Sequence, residues 1–185
     1  MTKQHLFESD RIQLNESSEQ LELIVSGQIS GNQFNLLSIW LFLWTAAGVF
    51  VLTQVLASMP KEERIFMVIW LGFWAYFEFK IGNAWIWRKY GREVLIVRKD
   101  KTELRFEVPI RSRSSVFETS DIGPFTNLEE QKGLFVKNYY SSFWVKGGET
   151  IGFNYKGRLY SFGRQLPPSD AKALIQKLKS RIERH

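Results

Sequence analysis

The chain has 185 residues, two histidines and no cysteine, and this length suits one or two small domains. The absence of cysteine excludes disulfide bonds, thiolate metal sites and a cysteine nucleophile. Both histidines, His5 and His185, lie near the chain ends, where residues are least constrained. Their positions disfavour a histidine-based triad or metal site, whereas chemistry based on carboxylates stays formally open.

The formal net charge of +6 is divided unevenly along the chain. Residues 1–87 hold five Lys/Arg and eight Asp/Glu, whereas residues 88–185 hold 20 and 11. The two parts therefore carry −3 and +9, which sum to the +6 of the whole chain. Such an asymmetry is typical of proteins that meet a membrane surface or a nucleic acid.

The N-terminal segment, residues 1–32, contains one predicted strand. Its first 20 positions hold no apolar stretch flanked by basic residues, so we expect no cleavable signal peptide. Apolar and polar residues then alternate in LELIVSG, which predicts a strand at about 21–29.

The next segment, residues 33–88, predicts a transmembrane hairpin. Residues 34–59 carry no charge, and about 20 apolar residues are enough to cross the hydrocarbon core of a bilayer. A buried helix of a soluble domain is the alternative, but no other segment could cover this run on all sides. We expect the first helix at about 34–58.

The second apolar run begins at Ile65, after the polar turn MPKEER. If it ended before Glu78 it would hold 13 residues, which are too few to cross a bilayer. If it continues to Trp87 it holds 23, which are enough. Because half a crossing would leave backbone groups unpaired in lipid, we expect the second helix at about 65–87.

Glu78 and Lys80 are the charged residues inside this second crossing. Lys80 lies about 12 Å of helix rise before Arg88, so its ammonium can extend towards the interface. Glu78 is deeper, and in an antiparallel hairpin its level matches that of Thr45. We expect Glu78 to hydrogen-bond near Thr45 or to face a partner subunit. The alternatives are a place in the headgroup layer or a protonated, neutral carboxyl group.

Aromatic residues near the helix ends form a candidate interfacial belt. Its members are Trp40, Trp44, Trp85, Trp87 and Tyr90. The alternative explanation is the general abundance of aromatic residues in this chain.

The basic residues beside the helices predict the topology. Arg88, Lys89 and Arg92 follow the second helix, whereas the turn of the hairpin has only Lys61 and Arg64. The positive-inside rule therefore predicts that both termini lie in the cytoplasm.

Residues 89–185 predict a cytoplasmic domain of antiparallel strands. Period-two alternation predicts strands at 93–99, 102–109, 111–119, 125–130, 150–156 and 158–164. Ser169 after two prolines is a predicted N-cap, and the apolar residues that follow share one helix face. We expect this helix to pack on the sheet, with a membrane-surface helix as the alternative. Since the strand at 21–29 lies on the same side of the membrane, we expect that it can join the sheet.

Three stretches resemble bacterial two-helix inner-membrane proteins with a pleckstrin-homology-like (PH-like) cytoplasmic domain. They are LELIVSGQISGNQFNLLSIWLFLW, GREVLIVRKDKTELRFEV and IGFNYKGRLYSFGRQLPPSDAKALIQKLK. The resemblance implies an α+β membrane protein with a two-helix transmembrane hairpin and a PH-like antiparallel sheet or barrel that a C-terminal helix closes. It also implies a binding or scaffolding module rather than an enzyme. The pair Glu78/Lys80 and residues 135–144 match no pattern of such proteins.

The first functional hypothesis is a non-enzymatic scaffold or accessory subunit of a membrane complex, with a homo-oligomer as one form of that complex. Aromatic residues are favoured in the cores of protein interfaces. The candidate partner-binding residues are Phe135, Tyr139, Tyr140, Phe143 and Trp144. The alternative is that these side chains close the open end of the sheet.

The second hypothesis is recognition of anionic lipid headgroups. The candidate residues are Arg88, Lys89, Arg92, Arg98, Lys99, Lys101, Arg111 and Arg113. Each basic residue near an anionic membrane surface contributes about 1 kcal/mol to binding. Ordinary positive-inside topology with solvated strand faces is the alternative.

Other classes of function have little support in the sequence. No nucleophile elbow, phosphate-binding loop, metal cluster or histidine-bearing dyad is recognisable, so we expect no enzymatic activity and no cofactor. Basic residues are interspersed with acidic ones and no recognition module is legible, so we expect no nucleic-acid partner.

Overall fold

The computed structural model describes residues 7–57, 60–109, 111–128 and 142–183. The elements in chain order are β1 (Ile12–Glu16), β2 (Gln20–Ser26), α1 (Gly31–Leu56), α2 (Lys61–Tyr90), β3 (Arg92–Arg98), β4 (Lys101–Val108), β5 (Arg111–Glu118), a 3₁₀ turn (Thr119–Asp121), β6 (Thr126–Asn127), β7 (Glu149–Tyr155), β8 (Arg158–Arg164) and α3 (Pro168–Ile182). The predicted α+β arrangement of two long apolar helices, antiparallel strands and a C-terminal helix is confirmed.

Helices α1 and α2 form an antiparallel hairpin of 26 and 30 residues, which correspond to about 39 and 45 Å of helix. Compared with the predicted 34–58, α1 begins three residues earlier and ends two residues earlier, whereas α2 extends beyond the predicted 65–87 at both ends. Both are long and apolar enough to cross a membrane. Large apolar side chains such as Phe42, Phe50 and Phe79 are exposed on them, which suits contact with lipid.

The first sheet has five antiparallel strands in the order β1-β2-β3-β4-β5. Strand β2 pairs with β3 from Gln20–Arg98 to Ser26–Arg92, although the whole hairpin lies between these strands in the chain. The predicted sheet built from both sides of the hairpin is therefore confirmed. Strand β1 was not predicted, because only Ile12 of its five residues is buried and the alternation is weak.

The second sheet has three antiparallel strands in the order β6-β7-β8. The predicted strand at 125–130 is reduced to two residues in β6. The alternative of a closed barrel is wrong for the described part of the chain, which forms two separate sheets. The 3₁₀ turn follows β5. Ile122 after this turn forms an isolated bridge with Tyr155 at the end of β7, and Gly123-Pro124 then lead to β6.

Helix α3 packs on the core between the sheets, as predicted. Ala171, Leu174 and Leu178 on its apolar face are fully buried, which excludes the alternative of a membrane-surface helix. Beneath it, the Phe117 ring meets Phe153 edge-on at 5.2 Å. Burial of each large apolar side chain contributes about 2 kcal/mol to folding.

The start of α3 differs from the predicted N-cap. Pro167 occupies the cap position, and the Ser169 hydroxyl instead donates to Glu8 Oε2 at 3.0 Å. The buried Asp170 carboxylate accepts hydrogen bonds from the backbone N–H groups of Glu8 (2.9 Å) and Ser9 (3.1 Å). Ser169 and Asp170 therefore hold the N-terminal segment against the domain. The local sequence around these two residues does not predict this contact.

Candidate functional site at the hairpin–sheet junction

The hairpin joins the sheet through two short connections. Only Gly91 separates α2 from β3, and residues 27–30 connect β2 to α1. Gly27 N–H donates to Gly91 O at 2.8 Å. This bond continues the β2–β3 hydrogen-bonding pattern as far as the ends of the two helices. A Cβ atom at Gly27 would overlap the backbone and indole of the buried Trp87, so glycine permits this close approach.

Arg88 lies at the centre of the junction with 1% of its surface exposed. Its guanidinium donates to Val145 O (2.8 Å), to Gln165 Oε1 (2.5 Å) and, more weakly, to Gly27 O (3.4 Å). Gln165 in turn donates from Nε2 to Ser142 O at 3.0 Å. One charged side chain thus connects the end of α2, the link before α1, residues 142–145 and the end of β8.

Arg11 binds the same region from the start of β1. Its guanidinium donates to the carbonyl oxygens of Ser26 (2.8 Å), Gln165 (3.1 Å) and Arg164 (3.0 Å). Burial lowers the pKa of Arg11, and the nearby Glu93 carboxyl acts against this shift. Arg11 therefore holds the N-terminal strand against the turn that follows β8.

Glu93 is a buried carboxyl group at the start of β3. Its Oε2 accepts hydrogen bonds from the backbone N–H groups of Gly163 and Arg164, and its Oε1 lies 3.4 Å from Arg164 Nε. Burial raises the pKa of Glu93 to about 7, although Arg164 and the two N–H groups act to lower it. Glu93 therefore titrates near neutral pH.

Basic groups outnumber acidic ones among the charges that influence one another at the junction. The basic groups are Arg11, Arg88, Arg111, Lys146 and Arg164, and the acidic groups are Glu93 and Glu149. Both carboxylates contact Arg164. Burial lowers the pKa of Lys146, and the nearby positive charges of Arg164 and Arg111 lower it further.

The eight predicted headgroup-binding residues occupy two ends of the sheet. Arg98, Lys99 and Lys101 lie at the β3–β4 turn, about 20 Å along β3 from Arg92. Arg98 donates there to Gln20 Oε1 at 3.1 Å. A single flat membrane surface at the hairpin end therefore does not reach these three residues.

The other predicted basic residues lie towards the hairpin. Arg92 is 59% exposed in its side chain and pairs with Glu107 at 2.5 Å. Lys89 Nζ lies over the rings of neighbouring Trp85 and Tyr90, whereas Arg111 and Arg113 begin β5. Arg88 differs from them all, because its burial and its carbonyl partners leave it inside the protein.

The structure describes only two of the five predicted partner-binding aromatic residues. Phe135, Tyr139 and Tyr140 lie outside the described residues. Phe143 and Trp144 are half-buried, with ring centroids 4.6 Å apart. The Trp144 ring meets the Trp40 ring edge-on at 5.3 Å. Trp144 thus packs against the hairpin, and its role in binding a partner stays a prediction.

Polar contacts hold the interior of the hairpin. The Thr45 hydroxyl lies 2.8 Å from Glu78 Oε1 and 2.8 Å from Leu41 O. Trp74 Nε1 donates to Trp44 O at 2.9 Å. Thr45 and Glu78 therefore lie at the same depth in the hairpin, as expected. Glu78 Oε1 has a hydrogen-bond partner in Thr45 and does not need to reach the headgroup layer to find one.

Lys80 does not extend towards Arg88 as expected. Its ammonium donates to the Tyr76 hydroxyl at 3.0 Å and lies over the Tyr76 ring at 5.3 Å. Tyr76 is one turn nearer the tip of the hairpin. The reason is geometric, because helical side chains lean towards the N-terminus of their helix.

The five residues of the candidate belt do not lie at one level. Trp85 stacks on Phe34 near the start of α1, and Trp87 is buried under the sheet. Trp44 stacks on Trp40 at 5.2 Å and lies about 20 Å along α1 from its first residue. Trp44 and Trp40 therefore belong to a half-buried aromatic cluster on α1.

Two open cavities flank residues 142–144. An apolar cavity of about 340 Å³ is lined by Trp40, Trp44, Phe77, Ile81 and Trp144. A more polar cavity of about 510 Å³ is lined by Arg11, Gln28, Ile29, Ser30, Gln33, Ser142, Phe143, Gln165, Leu166, Pro167 and Pro168. Each of these cavities could receive another molecule.

Sequence reasoning did not identify Arg11, Glu93, Arg164 or Gln165. One signal was available for Glu93, since it is a carboxyl residue at the start of a predicted strand whose next four residues are all apolar. Arg11 and Gln165 had no local signal, because their partners are remote in the chain. Within the described ranges, no three His, Cys, Asp or Glu residues lie together as a metal site would require.

Comparisons of the chain with protein-family models, with curated proteins and with solved structures found no match.

Proposed function

We propose that this protein is a non-enzymatic integral membrane protein that acts as a scaffold or accessory subunit of a membrane complex. Its hairpin crosses a bacterial inner membrane, and its PH-like domain and both termini lie in the cytoplasm. One observation carries the proposal: the hairpin is inserted between two paired strands, β2 and β3. The orientation of the domain on the membrane is therefore fixed.

A fixed orientation is a property that a scaffold needs. A flexible linker is enough to keep a domain near a membrane, because it sets a distance and no direction. Here Gly91 alone joins α2 to β3, and Arg88 bonds the end of α2 to three other segments. The domain therefore presents the same face to any neighbour in the membrane.

The outer edge of β5 is the surface that we propose for a protein partner. Among the described residues, β5 pairs only with β4, so its other edge presents backbone donors and acceptors. Val116 on its outer face is 58% exposed. A partner strand could add to this edge, as in other cases of β-strand addition.

The test uses the full-length chain in native membranes, with a photoreactive amino acid at Ser112 or Ser114 on β5. A matched probe at Asn15 on β1, at the opposite edge of the sheet, is the control. We expect one discrete crosslinked species from β5, of the same size in detergent extracts, and none from β1. Migration of the protein as a lone monomer, without a β5 crosslink, would contradict the proposal.

A second candidate function is recognition of anionic lipid at the membrane surface. The excess of basic over acidic groups at the hairpin end of the domain favours it. The full-length chain in nanodiscs should retain phosphatidylglycerol over phosphatidylcholine. Equal retention of the two lipids would remove this second candidate.

A further inference from the structure

We propose that the hairpin–sheet junction binds one anionic phospholipid of the surrounding bilayer, with an acyl chain in the apolar cavity and the headgroup at the polar cavity. The inference rests on the second candidate function above and gives it a site. The occupant is a lipid taken from the bilayer beside the hairpin.

The size and lining of the apolar cavity fit an acyl chain. Its wall is formed by four aromatic side chains and Ile81, and Trp144 closes it from the domain side. The cavity offers a volume of about 340 Å³. One turn of a helix that is about 10–12 Å across with its side chains occupies roughly 500 Å³, which is more than this volume. A lipid chain is thin and apolar enough to enter.

The two cavities lie along one face of α1. Gln33 lines the polar cavity and Trp40 the apolar cavity, and seven residues are two helical turns, about 10 Å. Phe143 and Trp144, whose rings are 4.6 Å apart, line one cavity each. An amphiphile lying along α1 would therefore meet an apolar surface first and polar groups about 10 Å later.

The levels agree with the layers of a bilayer. If the hydrocarbon core ends near Leu56 at the tip of the hairpin, a thickness of about 30 Å places its other boundary near Leu37. Trp40 then lies about 5 Å inside this boundary, and Gln33 lies about 6 Å outside it. The apolar cavity thus opens at the level of acyl chains and the polar cavity at the level of headgroups.

Charge complementarity decides the class of headgroup. Arg11 lines the polar cavity, and Gln165, which also lines it, accepts a hydrogen bond from the buried Arg88. Lys146, Arg111 and Arg164 add positive charge at the same end of the domain. Since the basic groups Arg11, Arg88, Arg111, Lys146 and Arg164 outnumber the neighbouring carboxylates Glu93 and Glu149, a headgroup with net negative charge is favoured over a zwitterionic one.

The experiment measures lipid retained by the full-length chain. The protein is placed in nanodiscs of equal parts phosphatidylglycerol and phosphatidylcholine with the same acyl chains, and native mass spectrometry counts the lipids that stay bound. We expect one phosphatidylglycerol per chain. Trp144→Ala should lower its retention about tenfold, a change that corresponds to about 1.4 kcal/mol. Trp144→Phe, which keeps an aromatic ring in the cavity wall, should restore most of it.

A charge variant and its matched control test the headgroup end. Arg111→Gln combined with Lys146→Gln should lower the preference for phosphatidylglycerol about tenfold. Lys99→Gln combined with Lys101→Gln removes the same charge at the distant β3–β4 turn and should leave retention unchanged. Thermal unfolding of each variant in the same nanodiscs shows whether the fold is kept.

The possible failures can be distinguished. If phosphatidylglycerol is preferred but Trp144→Ala and Arg111→Gln/Lys146→Gln behave as the unmodified chain, lipid recognition stands and the site proposed here is wrong. If the distant charge pair lowers retention as much as the junction pair, the effect is general surface attraction and the site is also wrong. Equal retention of both lipids overturns the site and the second candidate function together. A crosslink between two copies from a photoreactive residue at Trp144 would assign the cavity to self-association instead.

Discussion

Arg88 Nη2 donates a hydrogen bond of 2.5 Å to Gln165 Oε1, which joins the last turn of α2 to a residue 77 positions later in the chain. The same guanidinium nitrogen bonds Val145 O at 2.8 Å. Hydrogen bonds with a charged donor are about twice as strong as neutral ones. Arg88 therefore connects the hairpin directly to the domain, in addition to the chain connection at Gly91.

Replacement of Arg88 tests that coupling. Arg88→Met keeps much of the side-chain volume but leaves Gln165 Oε1 and Val145 O without this donor in a buried place. We expect a loss of about 3 kcal/mol in the free energy of unfolding of the sheet domain. Denaturant titration of the full-length chain in detergent, followed by the strand signal in circular dichroism, measures it. Arg92→Met is the control and should cost less than about 1 kcal/mol, because the Arg92 side chain is mostly exposed to solvent.

The pH dependence of stability should report Glu93. Its pKa is about 7 in the folded chain, above the value of 4.5 for an unperturbed carboxyl group. Between these two pH values the folded chain binds more protons at this site than the unfolded chain, so the free energy of unfolding falls as pH rises from 4.5 to 7. The shift corresponds to a loss of about 3 kcal/mol, and above pH 7 this contribution stays constant.

Glu93→Gln should remove that slope, because glutamine does not titrate. Thermal unfolding of both forms between pH 4.5 and 8 in one detergent makes the comparison. Glu107→Gln, a change in a carboxyl residue of the neighbouring strand, should leave the slope in place. A slope that survives in Glu93→Gln would assign the titration to another group.

Gly48 and Gly72 are a matched pair for testing helix packing. A Cβ atom at Gly48 would overlap the Trp74 indole, whereas a Cβ atom at Gly72 meets no neighbouring atom within 4 Å. Gly48→Ala should therefore lower the stability of the hairpin by about 1–3 kcal/mol through overpacking. Gly72→Ala should be neutral or slightly stabilising, because alanine favours a helix. Unfolding in bicelles, followed by tryptophan fluorescence, would show this difference, and equal effects would refute the packing of α1 on α2 at Gly48.

A double-mutant cycle should measure the contact between Thr45 and Glu78. The single changes are Thr45→Val and Glu78→Leu, both of which keep the volume approximately. We expect a coupling energy of about 0.6 kcal/mol, the usual size of a polar contact between membrane helices. The readout is the free energy of hairpin unfolding in bicelles. A coupling energy of zero would mean that Thr45 is satisfied by Leu41 O alone.

Local sequence patterns predicted much of the architecture. Two apolar runs of sufficient length, the alternation in β2 to β5, and the apolar face of α3 each depend on neighbours a few residues apart. Helix rise alone placed Glu78 level with Thr45, because an antiparallel hairpin fixes the depth of each residue. Even the entry of β2 into the sheet was expected, since a hairpin returns the chain to the side from which it left, whereas its pairing with β3 is seen only in the structure.

Only the tertiary structure decided how the hairpin and the domain are joined. The contacts of Arg11 and Arg88 with Gln165, and of Asp170 with the N–H groups of Glu8 and Ser9, join residues 77 or more positions apart. The sequence shows that a polar side chain will need a hydrogen-bond partner if it is buried. Which residue becomes that partner depends on which segments pack together in the fold. For the same reason, the sequence did not predict that Trp144 lies beside Trp40 and lines a cavity with it. Local patterns set the elements, and burial of charged and aromatic groups between distant segments set the junction.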